Sequence, residues 1–183
     1  MQTRRAFVAT AATSVAAVAY AMIPSPAAAQ DLDRDAAAAL DALYGSQPTA
    51  KTLGGEAKGI LIFPRIVKAG FLVGAQYGEG MLLKGGKPAG RYNIAAGSYG
   101  LQAGAQEFAY AMFFMTDAAL AYLDKSSGFE VGVGPSVVVM DEGKAKSFTS
   151  TTTREDVYAF IFGQRGLMAG MGLQGSKITK VGP

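Results

Sequence analysis

The sequence predicts an α+β fold: a curved, barrel-like antiparallel sheet bent at its strand glycines, with a few packed helices. Three observations predict it. Apolar runs at strand spacing recur along the chain. Of 183 residues 24 are Gly, many of them inside those runs. Helical periodicity is confined to two short segments. A glycine inside a strand costs backbone entropy, so it marks a bulge, a sharp bend or a close backbone approach. Several such strands suit a sheet that curls.

The elements follow in order. Residues 31–44 read as a helix capped by Asp31 or Asp33, with Leu32, Ala36, Ala39, Leu40 and Leu43 at helical spacing and Gly45, Ser46 and Pro48 after it. Gly54-Gly55 reads as a turn or hinge. Ile60–Phe63 is a strand-like run closed by Pro64. Phe71 to Leu83 reads as a long strand interrupted by Gly74, Gly78 and Gly80, and Gly85-Gly86-Lys87-Pro88 is a turn. Tyr99 to Met115 is the next strand. Thr116 caps a short helix, 117–124, with Leu120 and Leu123 on one side. Phe129 to Met140 is a strand broken at Gly132, Gly134 and Pro135, and Asp141-Glu142-Gly143 is a hairpin turn. Strands at 146–152, 157–162 and 167–173 complete the set. One tripeptide echoes: Gly74-Ala75-Gln76 returns as Gly104-Ala105-Gln106.

Residues 1–29 read as a cleavable signal peptide, and residues 30–183 as a single domain. Arg4 and Arg5 precede an Ala-rich apolar stretch, Pro24 and Pro26 break any helix, and Ala27-Ala28-Ala29 fits the small-residue cleavage rule with Gln30 next. Thr3-Arg4-Arg5-Ala6-Phe7-Val8 is similar to the twin-arginine export motif, although Thr replaces its usual Ser and its trailing Lys is missing. An exported, periplasmic or envelope-associated protein is the expectation.

Composition narrows the chemistry. The chain has no Cys, so disulfides, thiolate metal sites and Cys nucleophiles are excluded. It has no His, which removes His-based triads and the commonest zinc ligand. No P-loop or dinucleotide fingerprint is spelled by its glycines. Neither a catalytic residue nor a metal or other cofactor is expected. Glu79 and Glu107 are the carboxylates that fall inside apolar strands, the only foothold for a hydrolase.

Charge distribution points elsewhere. Without residues 1–29 the chain holds 15 basic and 14 acidic side chains, a balance of +1, so its basic pI of about 9.1 is not a sign of nucleic-acid binding. Residues 51–91 nevertheless carry seven basic and two acidic side chains, a local +5, interleaved with Ile62, Phe63, Ile66, Phe71 and Leu72. Basic groups among apolar ones suit an anionic membrane surface, where each Lys or Arg contributes roughly 1 kcal/mol. Lys58, Arg65 and Lys68 are the candidate lipid-binding residues. Arg65 and Lys68 follow the Pro64 turn and should project together from one rim of the sheet.

Three stretches carry a family resemblance: Ala57-Lys58-Gly59-Ile60-Leu61-Ile62-Phe63-Pro64 with Lys68-Ala69-Gly70-Phe71 after it, Gly97 to Gln106, and Gly166-Leu167-Met168-Ala169-Gly170 followed by Leu173, Gly175 and Ser176. In that order they resemble the SYLF domain across most of residues 30–180. The resemblance implies a lipid-binding module without known catalysis. Eukaryotic relatives bind phosphoinositides, yeast relatives also bind actin, and bacterial relatives are exported envelope proteins. Two differences limit what carries over. The helix at 31–44 is acidic and Ala-rich, whereas the lipid-binding helix of eukaryotic members is basic and amphipathic. Bacterial envelopes also generally lack phosphoinositides and actin. The expected function is therefore non-enzymatic binding of anionic phospholipid headgroups or a membrane surface. The alternative is a structural or protein-interaction module of the envelope.

Overall fold

The computed structural model describes residues 26–125, 128–140, 155–166 and 175–182. The chain divides into two compact units, residues 1–31 and 32–183. The first falls mostly outside the described residues, so the fold is that of the second.

Two helices open it, α1 (Pro26–Ser46) and α2 (Pro48–Glu56). Each presents small or aliphatic residues to the sheet: Ala36 and Leu43 from α1, Ala50 and Leu53 from α2, all buried. Then come two very long strands, β1 (Gly59–Lys84) and β2 (Lys87–Phe114), paired antiparallel along most of their length. Their hairpin closes at Gly85-Gly86, with φ of 57° and 77°. Two consecutive positive φ values match the twist of the flanking strands, and only glycine adopts them without strain. Helix α3 (Asp117–Leu123) follows, its first turn closed by Thr116, whose side chain accepts from the Ala119 N–H at 3.1 Å. Strands β3 (Phe129–Glu130), β4 (Val137–Met140), β5 (Val157–Gly166) and β6 (Lys177–Gly182) complete the described elements.

The sheet order is β3-β6-β2-β5-β4, with β1 on β2. Strand β2 organises it: β6 pairs along residues 91–95 and β5 along 106–114. The sheet is curled into a half-barrel, in agreement with the expected α+β class. All pairings are antiparallel except β4 with β5, which is parallel.

Both faces of this sheet are buried near its base. Leu61, Phe63, Ile66, Tyr110, Met112 and Phe114 pack with α3, Phe129 and Ile178 on the inner face. Ile60, Ile62, Met81, Ala111 and Phe113 pack beneath α1 and α2 on the outer face. Successive strand side chains point to opposite faces, so this continuous apolar stretch serves two cores at once. Helix α1 is also pinned to β2 by Arg91, whose guanidinium donates to Asp33 Oδ1 at 3.0 Å. The end of α3 is tied to β2 and β6 through Asp124, which accepts from Tyr92 Oη at 2.7 Å and from Lys180 Nζ at 3.1 Å.

The curl is made where β1 doubles over. A Cβ on Gly80 would lie 2.5 Å from the Phe63 ring and 2.9 Å from the Ile62 carbonyl oxygen, and one on Gly78 would lie 2.8 Å from that of Arg65. The edge carbonyls of the first arm thus rest on the face of the second, and only hydrogen fits between them. At the bend itself Gly70 touches Gly74. The predicted bending at strand glycines holds here through close backbone approach.

Several predicted boundaries are corrected. Gly54-Gly55 is no turn but lies in α2, where Pro48 pre-sets the first helical turn and the burial of Ala50 and Leu53 offsets about 1 kcal/mol per glycine. Pro64 does not close a strand. The β1–β2 register shifts between Phe63 and Ile66, a bulge that accommodates the missing N–H. Helix α1 is longer than residues 31–44, β2 starts well before Tyr99, and 129–140 holds two short strands. Strand β6 was not anticipated. The expected turn at 141–143 and the strands at 146–152 and 167–173 fall outside the described residues.

Candidate functional site

Beyond the helices, no other described element covers the outer face of the β1–β2 ribbon. Along β1 its side chains are Arg65, Val67, Ala69, Val73, Ala75, Tyr77 and Glu79, all exposed. Val67 is 42% exposed, Val73 61% and Tyr77 51%, half of the large apolar side chains so exposed among the described residues. Across on β2 lie further small residues, Ala105 opposite Ala69 and Ala95 opposite Tyr77. The face wraps around the bend, with Val73 close to the Gly70–Gly74 contact.

Charges border this strip. Arg65 Nε donates to Glu107 Oε2 at 2.9 Å, both side chains open to solvent. An ion pair so exposed stabilises the fold by about 0–1 kcal/mol. At the other end Tyr77 Oη donates to Glu79 Oε1 at 3.2 Å. Burial first, then that carboxylate, raises the Tyr77 pKa. Glu79 and Glu107 thus each have a local partner and are not brought into one cleft. No group of three acidic residues that could hold a metal occurs among the described residues.

The three sequence-predicted residues are not assembled. Arg65 lies on the outer face. Lys68 is only 7% exposed, on the inner face. The bulge after Phe63 is the cause: one inserted residue switches the parity of the strand. Arg65 turns out and Lys68 turns in, so the expected shared rim does not exist. Lys58 is exposed but precedes β1, about 20 Å along the strand from Arg65 at roughly 3.3 Å per residue, well beyond the screening length of about 8 Å.

Lys68 belongs to a buried polar group that composition did not suggest. Gln76, Gln106 and Ser176 are buried on the same inner face, with Gln76 Nε2 donating to Ser176 Oγ at 2.8 Å. Lys68 and Gln106 are cross-strand partners. Among the described residues the Gln106 side-chain Oε1 has no hydrogen-bond partner. The signal was present in the sequence: the echoed Gly-Ala-Gln places its glutamine inside both times.

Residues 95–181 match the family model described as Ysc84, Las17-binding protein actin regulator. The match, over just under half of the chain, agrees with the SYLF resemblance of the sequence. The match covers most of β2 and everything after it up to residue 181. The first arm of the ribbon, where most of the Ala57–Phe71 resemblance lies, precedes the matched region. No curated protein matches the chain. Within the sheet β2 is the strand that pairs with β1, β5 and β6, and the face left open by the described elements is the outer side of the ribbon it forms with β1.

Proposed function

We propose that this protein is a non-enzymatic lipid-binding module that contacts an anionic membrane surface with the outer face of its β1–β2 ribbon. The observation that carries the reading is the row Arg65, Val67, Ala69 and Val73, a cation beside exposed aliphatic side chains at the bend. Each valine moved out of water would contribute on the order of 1 kcal/mol, and each surface cation a similar amount. Arg65 is the contact cation, and Lys68 supports the ribbon from within; Lys58 lies too far along the strand to share the contact. No helix among the described residues is long and apolar enough to cross a membrane, and peripheral contact needs none. The SYLF match supports the lipid class. The leader-like sequence of residues 1–29 supports export to the envelope, where phosphatidylglycerol and cardiolipin are suitable anionic lipids.

The chain contains no Trp, so one can be introduced as a clean probe. Val73→Trp should shift its emission to the blue when phosphatidylglycerol vesicles are added. Val181→Trp, at a comparably exposed site on β6, should not. An unchanged Val73→Trp spectrum beside a shifted Val181→Trp spectrum would place the contact elsewhere.

A further inference from the structure

Strand register adds a residue to this face. Glu107 pairs on its other side with Arg165 of β5. Directly opposed residues of an antiparallel pair share a face, with Cβ atoms about 5 Å apart. Arg65, two residues before Val67 and bonded to Glu107 diagonally, and Arg165, directly opposite Glu107, therefore make a diagonal row with it across three adjacent strands, in which Arg65 alone among the described residues is in ion-pair contact with the carboxylate. Arg165 is exposed and, among the described residues, makes no ion pair. Immediately beside the row lie Val67, opposite Glu107, then Ala69 and Ala105.

We propose that Arg65 and Arg165 are the two prongs of a receptor for the phosphate of a lipid headgroup, with Glu107 holding Arg65 in position until that phosphate replaces it. The proposal rests on the lipid-binding reading above and specifies its chemistry. Guanidinium forks match phosphate oxygens two at a time, which a lysine cannot do. The bond to be exchanged is weak because both partners are solvated. With one carboxylate between two arginines, the row keeps a net positive charge to attract the headgroup. Val67, Ala69 and Ala105 distinguish a lipid from free phosphate, since only a lipid brings an apolar part to rest on them.

The test is vesicle flotation of the full chain with phosphatidylcholine vesicles, with and without phosphatidylglycerol. Any contribution of the leader is common to every variant. Arg165→Gln should weaken binding to the anionic vesicles about fivefold, and Glu107→Gln should strengthen it by a similar factor. Lys87→Gln makes the same charge change as Arg165→Gln at the far hairpin turn and should bind like the unaltered chain. Millimolar inorganic phosphate at constant ionic strength should not compete. A gain for Glu107→Gln confined to the anionic vesicles separates headgroup binding from misfolding, which would raise binding to phosphatidylcholine as well. The receptor is overturned if Arg165→Gln binds normally, if Lys87→Gln loses as much, or if Glu107→Gln binds more weakly. Competition by inorganic phosphate would overturn the lipid as its source. If the unaltered chain floats with anionic vesicles while these variants match it, the receptor fails and lipid binding stands. If it floats with neither vesicle, both fail.

Discussion

Replacing Gly80 by alanine aims a methyl group at the place where β1 lies across itself. The new Cβ would stand 2.5 Å from the Phe63 ring and 2.9 Å from the Ile62 carbonyl oxygen. Carbon atoms pack at about 3.5–4.0 Å, so the overlap is about 1 Å. Phe63 cannot swing away, being fully buried and stacked on Tyr110 with ring centroids 6.3 Å apart. The carbonyl is backbone and yields only if the arm moves. Overpacking of this kind costs about 1–3 kcal/mol. At about 2–4 °C per kcal/mol for a chain of this size, Tm should fall by about 2–12 °C. Gly97→Ala is the matched control on the outer face of the ribbon. Nothing lies within 4 Å of its added Cβ, so the reduced freedom of the unfolded chain should leave Tm unchanged or slightly higher. Thermal unfolding followed by circular dichroism reads both. If Gly80→Ala melts with or above the unaltered protein, or Gly97→Ala falls equally, the two arms of β1 are not in contact and the curl is wrongly explained.

Two other substitutions test the polar interior. The Tyr110 hydroxyl is buried without a hydrogen-bond partner among the described residues, and burial alone pushes its pKa up. Tyr110→Phe should therefore stabilise the protein by about 1 kcal/mol in urea unfolding, and a loss would mean that the hydroxyl has a partner. Asp124 has its pKa lowered from 3.8, chiefly by the Tyr92 hydrogen bond and then by Lys180 against the opposing effect of burial. A depressed carboxylate contributes stability that is present above its unfolded value and is lost as pH falls through its folded one. The unfolding midpoint should drop on acidification below about pH 4. In Asp124→Asn that part of the drop should be missing; an identical acid profile would remove Asp124 from the pH response.

Sequence periodicity revealed much of this fold for definite reasons. The hairpin turn, α3 and its Thr116 cap, and the core of α1 rest on local chemistry that one segment carries alone. The bends rest on glycine, whose lack of a side chain signals close approach without saying to what. Helix α2 was missed because its two glycines outweigh local propensity until Ala50 and Leu53 find the sheet. The site was half legible. Arg65 was found from charge, but its assumed neighbour Lys68 lies on the opposite face because Pro64 marks a bulge and not a turn. Arg165 was missed because the apolar run of β5 ends at Phe162, whereas the strand continues to Gly166 against β2. Gln76 and Gln106 were seen as an echo, yet their burial depends on how far the ribbon curls, which no local pattern states.

The most direct test of lipid binding is flotation of the chain from Gln30 onward with vesicles of phosphatidylglycerol, cardiolipin or phosphatidylcholine alone, at low and at physiological salt. Binding should be strong to the first two and weak to the third. The difference should shrink as salt rises and the Debye length shortens to about 8 Å. Equal binding to all three would contradict recognition of the anionic headgroup, and binding to none would contradict the membrane surface as its partner.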